Sequence, residues 1–135
     1  MLVFPDLESL LATFLDARPE LDGVTVTTDL PLNFTGATGA VLITRMGGEF
    51  RDDELIDAAR IRVDAYGPAK PAAHRLALLV RGLLPLLPTT RHAEGVLVSE
   101  VVEEYGPVWF TDSRRGHIAR YVTKFRVLAA VRPAS

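Results

Sequence analysis

Three histidines, His74, His92 and His117, are the first side chains to weigh for chemistry, because imidazole titrates near neutral pH and binds metals. No two of them have His-x-x-x-His spacing and no Glu-x-x-His occurs, so nothing in the spacing assigns a metal site. The sequence contains no cysteine, which excludes thiol nucleophiles, disulfides and thiolate metal sites. Ser9, Ser99 and Ser113 lie outside any Gly-x-Ser-x-Gly elbow. Gly36-Ala-Thr-Gly39 lacks the Lys-Ser/Thr of a phosphate-cradling loop and reads as a turn.

Acidic clusters stand at Asp52-Asp53-Glu54 and Glu103-Glu104. Paired carboxylates do acid–base work only when their surroundings push their pKa values apart. Both clusters sit in or beside polar stretches, where solvated charge is expected. The first follows Gly47-Gly48 and reads as a contact loop. No catalytic residue and no cofactor is assigned.

Two other groups suit recognition. Trp109 and Phe110 lie between Pro107 and the pair Arg114-Arg115. A tryptophan there either plugs the end of a core or anchors a partner, since Trp, Tyr and Arg dominate interface hot spots. Arg120, Lys124 and Arg126 form a basic row. That row is either the solvated side of a sheet or a surface for acidic loops of a neighbouring copy or for DNA backbone.

These residues need elements to position them. Pro5 to Ala17 reads as a helix with early acids and an apolar stripe of Leu7, Leu10, Leu11 and Phe14, ended by Pro19. Gly23 to Thr28 is a short β-branched strand, Asp29 to Gly39 a loop, and Ala40 to Met46 a second, more apolar strand. Gly47 to Glu54 is expected to be a polar, flexible loop leading into a strand, Ala59 to Tyr66. Ala72, Leu76, Leu79, Val80 and Leu83 then fall on one helical face, and Pro85 and Pro88 stop that helix. Val96 to Tyr105 is a fourth strand, Gly106 to Gly116 a long loop, and Ile118 to Val131 a long last strand before a frayed end, Pro133 to Ser135. Hairpin connections dominate. The expected fold is α+β: a mostly antiparallel sheet of about four to five strands with two helices packed on one face.

The length of 135 residues fits a single domain spanning 1–135. An apolar share of 48% and a charged share of 24% argue against wholesale disorder. The net charge of -2 implies no bulk attraction to nucleic acid or anionic membrane. The start of the chain has no basic region or long apolar run, so a soluble, non-secreted protein is expected.

Read in order, these features resemble the tail terminator (tail-to-head joining, or tail completion) proteins of long-tailed bacteriophages with non-contractile tails. The resemblance is carried by Phe4-Pro5-Asp6-Leu7-Glu8 opening the first helix, and by the Gly47-Gly48 acidic loop leading into Ala59-Arg-Ile-Arg-Val-Asp-Ala-Tyr66. It is carried further by Ala72-Ala73-His74-Arg75-Leu76-Ala77, Gly106-Pro107-Val108-Trp109 and Arg120-Tyr121-Val-Thr-Lys-Phe-Arg-Val127. It implies a structural virion protein without catalysis or cofactor. Such a protein forms a hexameric ring that caps the tail tube, ends its polymerisation and meets the head-completion protein of the neck. DNA passes through its channel without sequence-specific binding, and no membrane is involved. It also implies an assembly loop at the position of Gly47 to Glu54. The expected interface residues are Gly47, Gly48, Phe50, Arg51, Asp52, Asp53 and Glu54, with Trp109, Arg114, Arg115, Arg120, Lys124 and Arg126. The acidic group of one copy is expected to meet the basic row of the next. Alternatives are another neck or minor tail component, or a small α+β enzyme or ligand-binding domain. A deep pocket lined by a perturbed carboxylate or histidine would favour that last reading.

Overall fold

A computed structural model describes residues 1–134. A short strand, β1 (Leu2–Val3), precedes the first helix, α1 (Leu7–Asp16). Asp6 caps α1: its carboxylate accepts from the Ser9 backbone N–H at 3.1 Å. Leu7, Leu11, Phe14 and Leu15 form its buried stripe. Next come β2 (Thr25–Thr27), β3 (Ala40–Arg51), β4 (Ile56–Gly67), α2 (Lys70–Leu83), β5 (Val98–Trp109), β6 (Ala119–Ala130) and β7 (Arg132–Pro133). The main sheet runs β2-β3-β4-β6-β5. All its pairs are antiparallel except β2 with β3. The α+β expectation therefore holds, with one parallel pair at an edge.

Both helices cover one face of the sheet. Ile43, Ala59, Ile61, Val63, Phe125 and Val127 alternate toward that face and are buried with Leu11, Leu15, Leu76 and Val80. The inward stripe of α2 is Ala73, Leu76, Ala77, Val80 and Leu83, whereas Leu79 is exposed. The expected stripe was thus rotated slightly, because alanines carry part of the contact. Glu103 of β5 points to the helix side and pairs with Arg81 of α2 at 2.7 Å.

Three boundaries differ from expectation, the first two because glycine and proline mark bulges and edges here as well as loops. First, β3 continues through Gly47 and Gly48 to Arg51, so the expected loop shrinks to a turn at Asp52–Leu55. The register shifts between Arg45 and Gly48, which is where the two glycines absorb a bulge. Gly48 has φ +127°, and a Cβ there would run into the Ala58 carbonyl oxygen. Second, Gly106 to Trp109 belong to β5. Pro107 is tolerated because β5 is an edge strand with further register shifts. Third, the chain end is paired: Val3 lies opposite Arg132, and Ala134 N–H donates to Met1 O at 2.8 Å. Ser135 lies outside the described residues.

The bulge is tied to α1. The Arg45 backbone N–H donates to Glu8 at 2.6 Å, and the Arg45 guanidinium forks onto Asp57 at 2.7 and 2.6 Å while holding Gly47 O at 3.1 Å. Replacing Gly48 by alanine is expected to lower stability by about 1–3 kcal/mol. Gly47→Ala, whose Cβ meets nothing within 4 Å, is expected to cost less. Urea denaturation of the two variants measures the difference as a shift in midpoint at constant m.

Candidate assembly surfaces

The long sheet has two unlike ends. At one end is the turn Asp52–Leu55, between β3 and β4. Asp52, Asp53, Glu54 and Leu55 are all exposed. Leu55 takes a left-handed φ of +53°, and its carbonyl accepts from Val131 N–H at 2.8 Å. Just below, Phe50 is half-buried edge-on against Phe4, with ring centroids 5.0 Å apart. Arg51 turns back to Glu49 at 3.1 Å. Of the acids in this region Glu49 has a cation beside it. The three turn acids have no ion-pair partner among the described residues.

At the other end stand Val108, Trp109 and Phe110, exposed at 47%, 38% and 62%. Trp109 packs on Tyr121 at 5.4 Å between centroids, and the Lys70 ammonium lies 4.9 Å over its ring. Trp109 is therefore both part of the packing at the sheet's end and open on one side. His74, also exposed, stacks on Tyr121 at 4.8 Å. Arg114 is exposed in a short turn, Ser113–Arg115.

Behind this end lies a cluster that sequence reading missed. Asp112 is buried at 3% exposure. It accepts from the Tyr66 hydroxyl at 2.7 Å, Arg115 Nη1 at 2.9 Å and the Arg114 backbone N–H at 3.1 Å. Asp64, fully buried, lies 3.2 Å from Arg62 and 3.6 Å from Arg120. Arg120 also reaches Asp112 at 3.8 Å, and its Nε donates to Phe110 O at 2.8 Å. Arg115 Nη2 donates to Leu30 O at 3.0 Å. The loops 28–39 and 110–118 are thereby fastened over the second face of the sheet, where Leu30 and Phe34 pack on Tyr66. Burial pushes the Asp64 carboxyl above its usual value, against the pull of Arg62 and Arg120. Burial acts the same way on Asp112, but the hydrogen bonds from Tyr66 and Arg115 and the charge of Arg120 outweigh it and hold that carboxyl low. Burial, reinforced by the bond to Asp112, raises the Tyr66 hydroxyl to about 12. Asp112 carried no signal beyond its place three residues before Arg115. Asp64 looked like one more outward polar residue in an alternating strand.

The basic row has internal partners. Arg126 and Arg60, opposite each other on β6 and β4, share Glu104 at 3.7 and 3.9 Å. Lys124 lies 5.5 Å over the Tyr105 ring. Arg120 and Arg115 fasten the loops. Of the residues expected to act together, the structure gathers Gly47 to Glu54 at one end, and Trp109, Arg114, Arg115 and Arg120 at the other. Lys124 and Arg126 lie between.

A groove of about 750 Å³ separates α1 from residues 90–97, lined in part by Leu10, Phe14, Arg18, His92 and Leu97. The perturbed carboxylates Asp64 and Asp112 are not among its walls. No group of three or more His, Asp or Glu placed to hold a metal occurs among the described residues. Among them too, no helix is long and apolar enough to cross a membrane.

Asp112→Asn is expected to destabilise the fold by about 3 kcal/mol, because Arg115 and Tyr66 lose a buried charged partner. The native carboxyl is held low, so its contribution is full above about pH 4 and disappears as pH falls through the folded value. The gap between wild type and variant in thermal denaturation is therefore expected at pH 7 and should close toward pH 2.

A family model described as phage tail termination protein matches residues 3–115. No curated protein matches the chain.

Proposed function

The chain belongs to the phage tail termination protein family, structural proteins of the bacteriophage tail, and from that premise we propose that it assembles as a hexameric ring. The ring caps the tail tube, ends its polymerisation and presents its other side to the head-completion protein of the neck. The whole chain acts as one domain in this role, and its place in the virion is the upper end of the tail.

The observation that supports this reading beyond family membership is the pair of unlike exposed ends on one continuous sheet. An acidic turn sits at one end and an aromatic, cationic rim at the other. Unlike patches on one molecule suit heterologous contacts, and such contacts close into a ring when the rotation from copy to copy closes. The charge balance supports a channel through which DNA slides. The net charge is -2, and the cations of β6 are largely matched by Glu104, Asp64 and Asp112. A lumen of this kind would not hold phosphates tightly.

Negative-stain electron microscopy and native mass spectrometry of the purified protein, alone and with tail tubes, are expected to show rings of six. Adding the protein to a polymerising tube subunit should shorten the tubes in proportion to its concentration. A chain that stays monomeric or two-fold dimeric in both settings, and leaves tube length unchanged, overturns this function.

A further inference from the structure

A ring leaves open which surfaces of neighbouring copies meet. The geometry points to one contact, and it rests on the ring reading. The acidic turn Asp52–Leu55 of one copy seats on the rim formed by Val108, Trp109, Phe110, Lys70 and Arg114 of the next.

The first support is charge left over on both sides. Asp52, Asp53 and Glu54 are exposed without an ion-pair partner, and so are Lys70 and Arg114, among the described residues. The β6 row is the poorer receptor. Arg120 has a side chain only 12% exposed between two buried carboxylates, and Arg126 shares Glu104 with Arg60.

The second support is apolar surface. Phe110 and Val108 are more exposed than a lone surface hydrophobe requires, and they adjoin Trp109, whose outer face carries Lys70. Leu55 closes the acidic turn and presents an exposed side chain to match. Trp and Arg are among the residues enriched at interface hot spots, and Trp109 and Arg114 stand together in this rim.

The third support is placement. Ile56 lies opposite Ala130 and Gly67 opposite Ala119, so the turn and the rim stand at opposite ends of the same strands. Twelve residues of strand hold them apart by roughly 35 Å. Both patches are prefixed: the turn by Leu55 and the Arg45–Asp57 fork, the rim by Tyr121 and the Asp112 cluster. Turn against turn places acid on acid, and rim against rim places cation on cation. Turn on rim joins opposite charges, either head to tail in a ring or reciprocally in an antiparallel two-fold pair, and the size of the oligomer distinguishes the two.

The test uses charge reversal on the full chain. D52K/D53K alters the turn, K70E/R114E alters the rim, and K124E/R126E serves as the control on the β6 face. The turn and rim positions are exposed and Lys124 and Arg126 half-buried, so circular dichroism with thermal denaturation first establishes that each variant folds. Native mass spectrometry is expected to show that either reversal alone raises the concentration for half-assembly about tenfold or more, with the effect weakening as salt rises. The control variant should assemble as wild type. An equimolar mixture of the two reversals should recover rings in which the variants alternate, because each turn then meets a rim of opposite sign.

Wild-type rings untouched by both reversals overturn this contact and leave the ring standing. So do two reversals that each abolish assembly without recovering it when mixed. A rim reversal that keeps the ring but loses binding to tail tubes overturns it too, by placing the rim on the tube. A wild-type chain that never assembles removes the ring reading and the contact together.

Discussion

The pairing of β4 with β6 is the constraint on which the rest depends. It runs twelve residues without a slip, from Ile56 opposite Ala130 to Gly67 opposite Ala119. Side-chain alternation has period two, so one slipped residue would send Ile61, Val63, Phe125 and Val127 to the wrong face. With the register fixed, the helices have one apolar surface to cover, and the other face is left for polar chemistry. The same register places Arg60 against Arg126 and Arg62 against Lys124, like charges directly opposite. Such pairs are unfavourable by themselves. Glu104 and Asp64 offset them, which explains why acids on β5 and β4 stand where they do.

The buried charges do a second job. Loops 28–39 and 110–118 bring a small apolar cluster, Leu30, Phe34 and Ile118 on Tyr66, and the buried charges add directional ties to it. Asp112 holds one through Arg115 to Leu30 O, and Arg120 holds the other through Phe110 O. Ionic clusters of this type add little net energy relative to an apolar core, but removing one member leaves an uncompensated charge. The geometry of the aromatic end is thus conditional on charges drawn from β4, the 110–118 loop and β6.

The layers were legible in the sequence because periodicity reports burial directly. The stripe of α1 and the alternation of β6 placed two elements on their correct faces. The order of helices and strands followed from turn signals between them. Glycine and proline misled at Gly47-Gly48 and Gly106-Pro107, where they accommodate a bulge and a sheet edge inside continuous strands. The outer face of the sheet was illegible for a different reason. Alternation says that Arg62, Asp64 and Tyr66 point away from the helices, but it does not say that distant loops fold over them. Compensation of Arg120 by Asp64 and Asp112 is a tertiary fact, carried by no local pattern.

The same bulges and proline that blur the reading of β5 bear on what the molecule must avoid. A twelve-residue strand with a free edge offers a row of backbone donors and acceptors to any passing strand. Pro107 removes one donor, the register shifts break the spacing of the others, and Glu100 adds an exposed charge. On the opposite flank β2 covers β3 only over Ala40–Leu42, and beyond it the bulge between Arg45 and Gly48 and the bond from Arg45 N–H to Glu8 break the edge. Lateral sheet growth, the ordinary route to insoluble aggregates, is thereby obstructed on both flanks.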